Sequence, residues 1–203
     1  MRLPAKHVIV ALAISTQSSC GAPDSLTGPS DVAVTFSGRV VEYRTQLPAA
    51  AVAVTFGPPL LDSGFGPSET TTNADGGYVL TVPRTGLFTV SVNGVFAGTA
   101  RVNGKVYRGD LFVQGGTCIS RYGIAIDSDT LRPIQSATLS LAGATATTGA
   151  DGWYRIDLGC PDVILPGGTI VINVTHPAYQ PCSIVVGRGV AGVSRLDLDL
   201  PRQ

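Results

Sequence analysis

The stretches that decide the fold are SGRVVEYRTQLPAAAVAVTF, residues 37–56, and YGIAIDSDTLRPIQSATLSL, residues 122–141, because the second repeats the pattern of the first. In both stretches a Gly opens an alternating apolar segment and a Pro follows ten positions later: Gly38 and Pro48, then Gly123 and Pro133. Alternation with period two is typical of a half-buried β-strand. The sequence therefore predicts two copies of one β-rich unit.

A second repeated motif follows in each copy, as TTTNADGGYVLTVP at residues 70–83 and ATTGADGWYRIDLG at residues 146–159. Each motif contains an Asp-Gly pair between extended segments: Asp75 and Gly76, then Asp151 and Gly152. Gly supplies the positive φ that a tight turn requires, and Asp caps such a turn through its side chain. These pairs are predicted to be structural hairpin turns.

Further short strands are predicted at similar spacing in both copies, at residues 88–92, 109–113, 170–174 and 194–200. No segment has the apolar stripe of a helix, and 25 Gly and 14 Pro separate the strands. The expected fold is all-β, with two tandem antiparallel β-sandwich modules of transthyretin-like or Ig-like type at residues 36–115 and 118–201. The connection between them, residues 114–117, is short enough that the modules should touch.

This pattern resembles the carboxypeptidase regulatory-like domain, a small transthyretin-like sandwich. Six positions in each copy carry the resemblance: Gly38, Pro48, Ala51, Asp75, Gly76 and Tyr78, then Gly123, Pro133, Ala137, Asp151, Gly152 and Tyr154. The two copies together cover almost all of the chain after residue 35. The resemblance implies a fold and no activity, because in metallocarboxypeptidases this sandwich accompanies a separate zinc domain, which this sequence lacks.

Residues 1–20 have the anatomy of a signal peptide, with Arg2 and Lys6 before an apolar run that ends at Ile14. The run is much shorter than the roughly 20 residues of a spanning helix. Cys20 is a candidate for lipidation in a bacterial lipoprotein, with residues 21–35 as a flexible tether. Gln17 stands where a lipoprotein signal has an aliphatic residue, so cleavage by ordinary signal peptidase, giving a soluble secreted protein, and an uncleaved start remain alternatives.

The charge balance argues against a nucleic-acid partner. Lys plus Arg and Asp plus Glu both number 14, so the chain has no basic excess to contact a phosphate backbone. The sequence therefore favours a protein or glycan partner over DNA or RNA.

The cysteines after Cys20 lie in the second copy, at Cys118, Cys160 and Cys182. Export favours one disulfide among them. We expect Cys118 to bond to Cys160, because this pair would tie the opening strand of the second module to the end of a central strand. Cys182 would then be free.

No catalytic, metal or cofactor site is expected. After the signal segment the chain has one histidine, His176, which precedes a Pro and is best interpreted as a turn residue. A Ser-His-Asp triad would need this residue, and the sequence has no elbow motif to present a nucleophile. The chain is therefore predicted not to be an enzyme.

Two binding roles remain. The first is that of a structural or binding protein of the cell envelope, lipid-anchored or secreted, whose Gly57–Glu69 loop or an exposed sheet edge contacts an envelope or extracellular protein. The alternative is a carbohydrate-binding module, with Trp153 as a possible ligand-binding residue. Further candidate stacking residues are Tyr107, Tyr122 and Tyr179.

Overall fold

The computed structural model describes residues 32–57, 66–103, 108–113, 118–160, 170–186 and 192–203. Within these ranges the chain forms strands and no helix, which confirms the all-β prediction. The first copy contains β1 (Val34–Glu42), β2 (Ala53–Gly57), β3 (Ser68–Thr71), β4 (Gly77–Val82), β5 (Gly86–Val92), β6 (Val95–Val102) and β7 (Leu111–Val113). The second contains β8 (Ile119–Asp127), β9 (Thr138–Leu141), β10 (Ala144–Thr147), β11 (Trp153–Gly159), β12 (Ile170–His176), β13 (Tyr179–Val186), β14 (Val193–Leu196) and β15 (Leu198–Leu200).

The strands form three sheets. One sheet has the order β4-β1-β7, and another has the order β10-β9-β12-β13. The largest runs β11-β8-β14-β6-β5-β2-β3, and β15 also pairs with β8. Strand β14, near the C-terminus, therefore lies between β8 of the second copy and β6 of the first.

The expectation of wholly antiparallel sandwiches is wrong for the last strands of each copy. Strand β7 pairs in parallel with β1, and β15 pairs in parallel with β8. Strand β14 is parallel to both β8 and β6. Parallel pairing follows because each copy returns to its own first strand through a long crossover instead of a tight hairpin.

The Asp-Gly turns are tight, as predicted, because the Asn73 N–H donates to the Gly77 carbonyl and the Gly149 N–H to the Trp153 carbonyl, each at 2.9 Å, but the turns do not join paired strands of one sheet. The strands that flank each turn belong to different sheets: β3 pairs with β2, whereas β4 pairs with β1. The same holds for β10 and β11. Gly76 and Gly152 do have positive φ values, 72° and 74°. The turns therefore carry the chain from one sheet to the other.

The residue that caps the turn also differs between the copies. In the first copy the Asn73 side chain accepts the N–H groups of Asp75 and Gly77, at 3.0 and 2.8 Å. In the second copy Gly149 replaces this Asn, and Asp151 accepts the N–H of Trp153 at 3.1 Å. The predicted capping by Asp is thus present only in the second copy.

Each copy has its own apolar cluster. The first is rich in aromatic rings, with Phe36 packed 5.1 Å from Phe56, whose ring lies 6.2 Å from that of Phe88. The second is mostly aliphatic and includes Leu139, Ile156 and Ile172. The inward positions of the predicted alternating strands supply these side chains, as period-two alternation requires.

A buried threonine makes the same two hydrogen bonds in both copies. Thr72 Oγ1 accepts the N–H of Val52 at 2.9 Å and donates to the carbonyl of Ala49 at 2.6 Å. Thr148 Oγ1 accepts the N–H of Ala137 and donates to Ile134, at the same two distances. The two copies therefore share these hydrogen bonds, which satisfy backbone groups that would otherwise be buried without partners.

The repeated tyrosine and glycine also serve one structural purpose. Tyr78 OH donates to the carbonyl of Gly109 at 2.6 Å, and Tyr154 OH donates to that of Leu196 at 2.5 Å. A Cβ on Gly38 would lie 2.2 Å from the Gly109 oxygen, and one on Gly123 would lie 2.1 Å from the Leu196 oxygen. Glycine is required there because the last strand segment passes directly over it.

The predicted disulfide is present: Cys118 and Cys160 are bonded, across a sequence separation of 42. The expectation that Cys182 is free is wrong. Cys182 is disulfide-bonded, and its side chain is buried in the second core. Its bonding partner lies outside the described residues.

Candidate functional site

Residues of both copies meet in a third cluster, which we call the junction. Its buried members come from the first copy, the start of the second copy and the C-terminal crossover: Tyr43, Phe112, Cys118, Tyr122 and Val193. The Phe112 and Tyr122 rings meet edge to face at 4.7 Å. Tyr122 OH accepts the Phe112 N–H at 3.1 Å. Burial raises the pKa of Tyr122 to about 12, so this hydroxyl is neutral at physiological pH.

An enclosed ion pair lies beside the junction. Arg195 donates to both carboxylate oxygens of Asp197, and the two side chains are 0% and 3% exposed. Asp197 also accepts the N–H of Ile124 at 3.1 Å and that of Arg101 at 2.8 Å. Burial alone would lower the pKa of Arg195, but the charge and hydrogen bonds of Asp197, together with Tyr78 and Tyr122, outweigh burial and raise this pKa. The pair ties the crossover strand to both copies.

The first copy contains a counterpart of this pair on its own surface. Arg108 and Asp110 form an ion pair at 2.6 Å, with side chains 47% and 24% exposed. Asp110 accepts the N–H of Arg39 at 3.3 Å, as Asp197 accepts that of Ile124. The same Arg-x-Asp motif is therefore buried in one copy and exposed in the other.

Trp153, the predicted ligand-binding residue, is half-buried at the junction. The Arg108 guanidinium lies over its ring, 4.5 Å from the centroid, and Tyr122 contacts it at 5.7 Å. Its outward orientation, opposite to buried Tyr154, agrees with the alternation of the strand. The ring is thus engaged within the chain.

The remaining candidate stacking residues that the structure describes do not form a shared platform. Tyr122 is fully buried, and Tyr179 donates its OH to Asp127 at 2.8 Å. Tyr107, most of the Gly57–Glu69 loop and Cys20 lie outside the described residues.

Asp127 holds the C-terminal residues on the second copy. It accepts from Tyr179, from Arg202 at 2.7 Å and from the Thr130 N–H at 2.8 Å. Burial alone would raise the pKa of Asp127, but these hydrogen bonds outweigh burial and lower the pKa to about 2. Asp127 is therefore a carboxylate at any ordinary pH.

The outer face of the β10-β9-β12-β13 sheet carries two rows of uncharged polar side chains, which we call the polar face. One row crosses all four strands in register: Thr145, Ser140, Asn173 and Ser183. The next row crosses three strands: Thr147, Thr138 and Thr175. All seven side chains are exposed or half-buried.

A shallow groove of about 280 Å³ adjoins the second row. Its walls are Ser136, Thr138, Thr175, His176, Pro177 and Pro181. His176 Nδ1 accepts the Ala178 N–H at 3.1 Å, and its ring meets that of Tyr179 edge to face at 5.0 Å. His176 is the last residue of β12, at the start of the turn to β13, and because its Nδ1 accepts a hydrogen bond, Nε2 is the ring nitrogen left to donate.

Sequence reasoning did not identify the polar face as a site. The signal was present as alternation of Thr, Ser and Asn with apolar residues in residues 138–141 and 171–175. It could not be assembled because the row joins strands whose register the sequence does not specify. No group of three or more His, Cys, Asp or Glu suited to a metal ion occurs in the part of the chain that the structure describes.

Neither the protein-family models nor the curated proteins include a match to this sequence. Among solved structures, the Bacillus anthracis TIE protein is similar at 12% identity and a TM-score of 0.29, over 84% of this chain and 34% of that protein. A streptococcal ancillary pilin is similar at 14% identity and a TM-score of 0.30, over 85% and 63%. The shaft pilin SpaA from Lactobacillus rhamnosus GG aligns at 11% identity and a TM-score of 0.32, over 86% and 98%.

The chain thus spans about a third of the first of these proteins and somewhat under two thirds of the second. Superpositions at this level do not establish a shared fold. What the structure itself defines is the class, an all-β protein with the same backbone contacts in two copies.

Proposed function

We propose that this chain is a non-catalytic, exported protein of the bacterial cell envelope with a structural or binding role. The observation that carries the proposal is the use of the repeated polar residues. Thr72 and Thr148, and Tyr78 and Tyr154, all bond to backbone groups of their own copy. Side chains committed in this way hold a scaffold together, and binding is left to the outer surfaces.

Export and anchoring follow from the N-terminal sequence. A lipid on Cys20 would place both copies at a membrane surface. Cleavage by ordinary signal peptidase, without a lipid, would release them as a soluble secreted protein. No helix in the described ranges is long and apolar enough to cross a membrane.

The chain has four cysteines, and the Cys118–Cys160 bond accounts for two of them; the other two are Cys20 and Cys182. A thioether lipid and a disulfide at the same Cys20 sulfur exclude each other.

The test is intact mass, membrane fractionation and thiol alkylation of the full chain expressed in a Gram-negative host, with Cys20→Ser alongside. The anchored form predicts a diacylglyceryl mass on a chain that starts at Cys20, one alkylatable thiol and recovery with membranes. Cys20→Ser should lose the lipid and the membrane association. A chain that stays in the cytoplasm would contradict export, and an exported chain without lipid or alkylatable thiol would contradict anchoring only.

The second candidate function is carbohydrate binding. The observation that favours it is the polar face, because hydroxyl and amide groups are suited to hydrogen bonding with sugar hydroxyls. Retention of the protein on insoluble glycans, compared with an uncoated resin, tests this function.

A further inference from the structure

The polar face differs in chemistry from the equivalent face of the first copy, although the equivalent strands pair in the same order. The equivalent row consists of Glu69, Thr55, Ser91 and Phe96. A charged and an aromatic side chain thus stand at its two ends, where the second copy has Thr145 and Ser183. The scaffold alone does not require an uncharged row, since the first copy forms the same pairings without one.

The arrangement of the polar face is regular. Neighbouring strands lie roughly 4.8 Å apart, so each row presents donors and acceptors at a short repeating distance. Ser183 Oγ donates to Asn173 Oδ1 at 2.7 Å, which fixes the amide and leaves its NH₂ group as a donor. A ligand with closely spaced hydroxyl groups along a flat chain matches this pattern.

The groove adds apolar contact beside the rows. Pro177 and Pro181 supply rings without donors, and His176 supplies an aromatic edge together with an Nε2–H donor. Sugar rings combine C–H faces with equatorial hydroxyls, and they pack on such surfaces while their hydroxyls reach polar neighbours. Protein interfaces are usually anchored by Trp, Tyr or Arg, and the two rows contain none of these.

We propose that the polar face and the adjoining groove bind a neutral polysaccharide. The rows hydrogen-bond to its hydroxyls, and the groove receives one sugar ring. Charge complementarity selects a neutral ligand, because neither the two rows nor the groove contains an acidic or a lysine or arginine side chain. The inference rests on the binding role proposed above and assigns it to the second copy.

The experiment measures depletion of the purified full chain from solution by microcrystalline cellulose, insoluble chitin and calcium alginate beads. Depletion by at least one neutral polymer, little changed by high salt, is the expected result, with no more binding to anionic alginate than to resin. Asn173→Ala and Thr147→Glu should each weaken that binding by about fivefold or more, as expected when a hydrogen bond is lost.

The first copy provides matched controls. Ser91→Ala replaces the counterpart of Asn173, and Thr71→Glu the counterpart of Thr147. Both controls should bind like the unaltered chain, and all four variants should retain its unfolding transition. Three results would overturn the inference: no depletion by either neutral polymer, equal losses in the controls, or retention by alginate alone. The fractionation test of export is independent of all three.

Discussion

Arg195 and Asp197, two positions apart in the C-terminal crossover, form an ion pair that the first and second copies enclose between them. Their side chains are 0% and 3% exposed, with Nε 3.1 Å from Oδ1. The repeat provides an internal reference, because Arg108 and Asp110 form the same pair at 47% and 24% exposure. One motif can therefore be compared in two environments within a single chain.

Replacing the buried arginine should destabilise the protein strongly. Arg195→Met leaves Asp197 charged and enclosed, which typically costs about 3–5 kcal/mol of the free energy of unfolding. Arg108→Met removes an exposed pair and a ring contact, at a cost of about 1 kcal/mol or less. Urea unfolding of both variants measures the difference. Equal losses would show that the two copies do not enclose the Arg195–Asp197 pair.

Methyl groups on the repeated glycines should also be costly. Gly38→Ala and Gly123→Ala each place a Cβ against a carbonyl oxygen of the last strand segment. The strand must shift, and such overpacking usually costs about 1–3 kcal/mol. Gly66→Ala is the control, because an added Cβ there meets nothing within 4 Å. Thermal unfolding of the three variants would contradict this account if all three melted alike.

The lowered pKa of Asp127 predicts that the folded chain loses stability in acid over a defined pH range. Its pKa in the folded chain, about 2, lies below the ordinary value of 3.8. A lowered folded-state pKa gives stability that is complete above the unfolded-state value and is lost as the pH falls through the folded-state value. The difference in unfolding free energy between the unaltered chain and Asp127→Asn should therefore shrink from about pH 4 to about pH 2.

The matched control for this pH effect is Asp129→Asn, which removes an exposed carboxylate two positions away. It should leave the acid profile close to that of the unaltered chain. A constant difference between the unaltered chain and Asp127→Asn over the whole range would show that Asp127 does not hold Tyr179 and Arg202 as described.

Loss of the Cys118–Cys160 disulfide should destabilise the second copy. The bond closes a separation of 42 residues, and bonds of this span typically stabilise by about 3–4 kcal/mol. The double variant Cys118→Ser and Cys160→Ser should therefore unfold at a markedly lower urea concentration than the unaltered chain. A double variant as stable as the unaltered chain would contradict a structural role for this bond.

Much of the local structure follows directly from the sequence. Alternation in the two repeated stretches predicted the strands, because period two is a property of the extended backbone itself. Positive φ at Gly76 and Gly152 followed from the Asp-Gly pairs, and the choice of Cys118–Cys160 from the position of each cysteine at the end of a predicted strand. The sheet membership of β3 and β4 did not follow, since a short turn can join strands within a sheet or between sheets.

The sequence by itself therefore determined an all-β chain, its internal repeat and the turn positions, because each depends on neighbouring residues and their backbone preferences. Only the tertiary structure decided that Arg195 is enclosed while Arg108 is exposed, and that Asn173 shares a row with Ser140 and Ser183. Both outcomes depend on which strands meet across long separations. Long-range pairing is set by the register and the packing of the whole fold, which no local pattern contains.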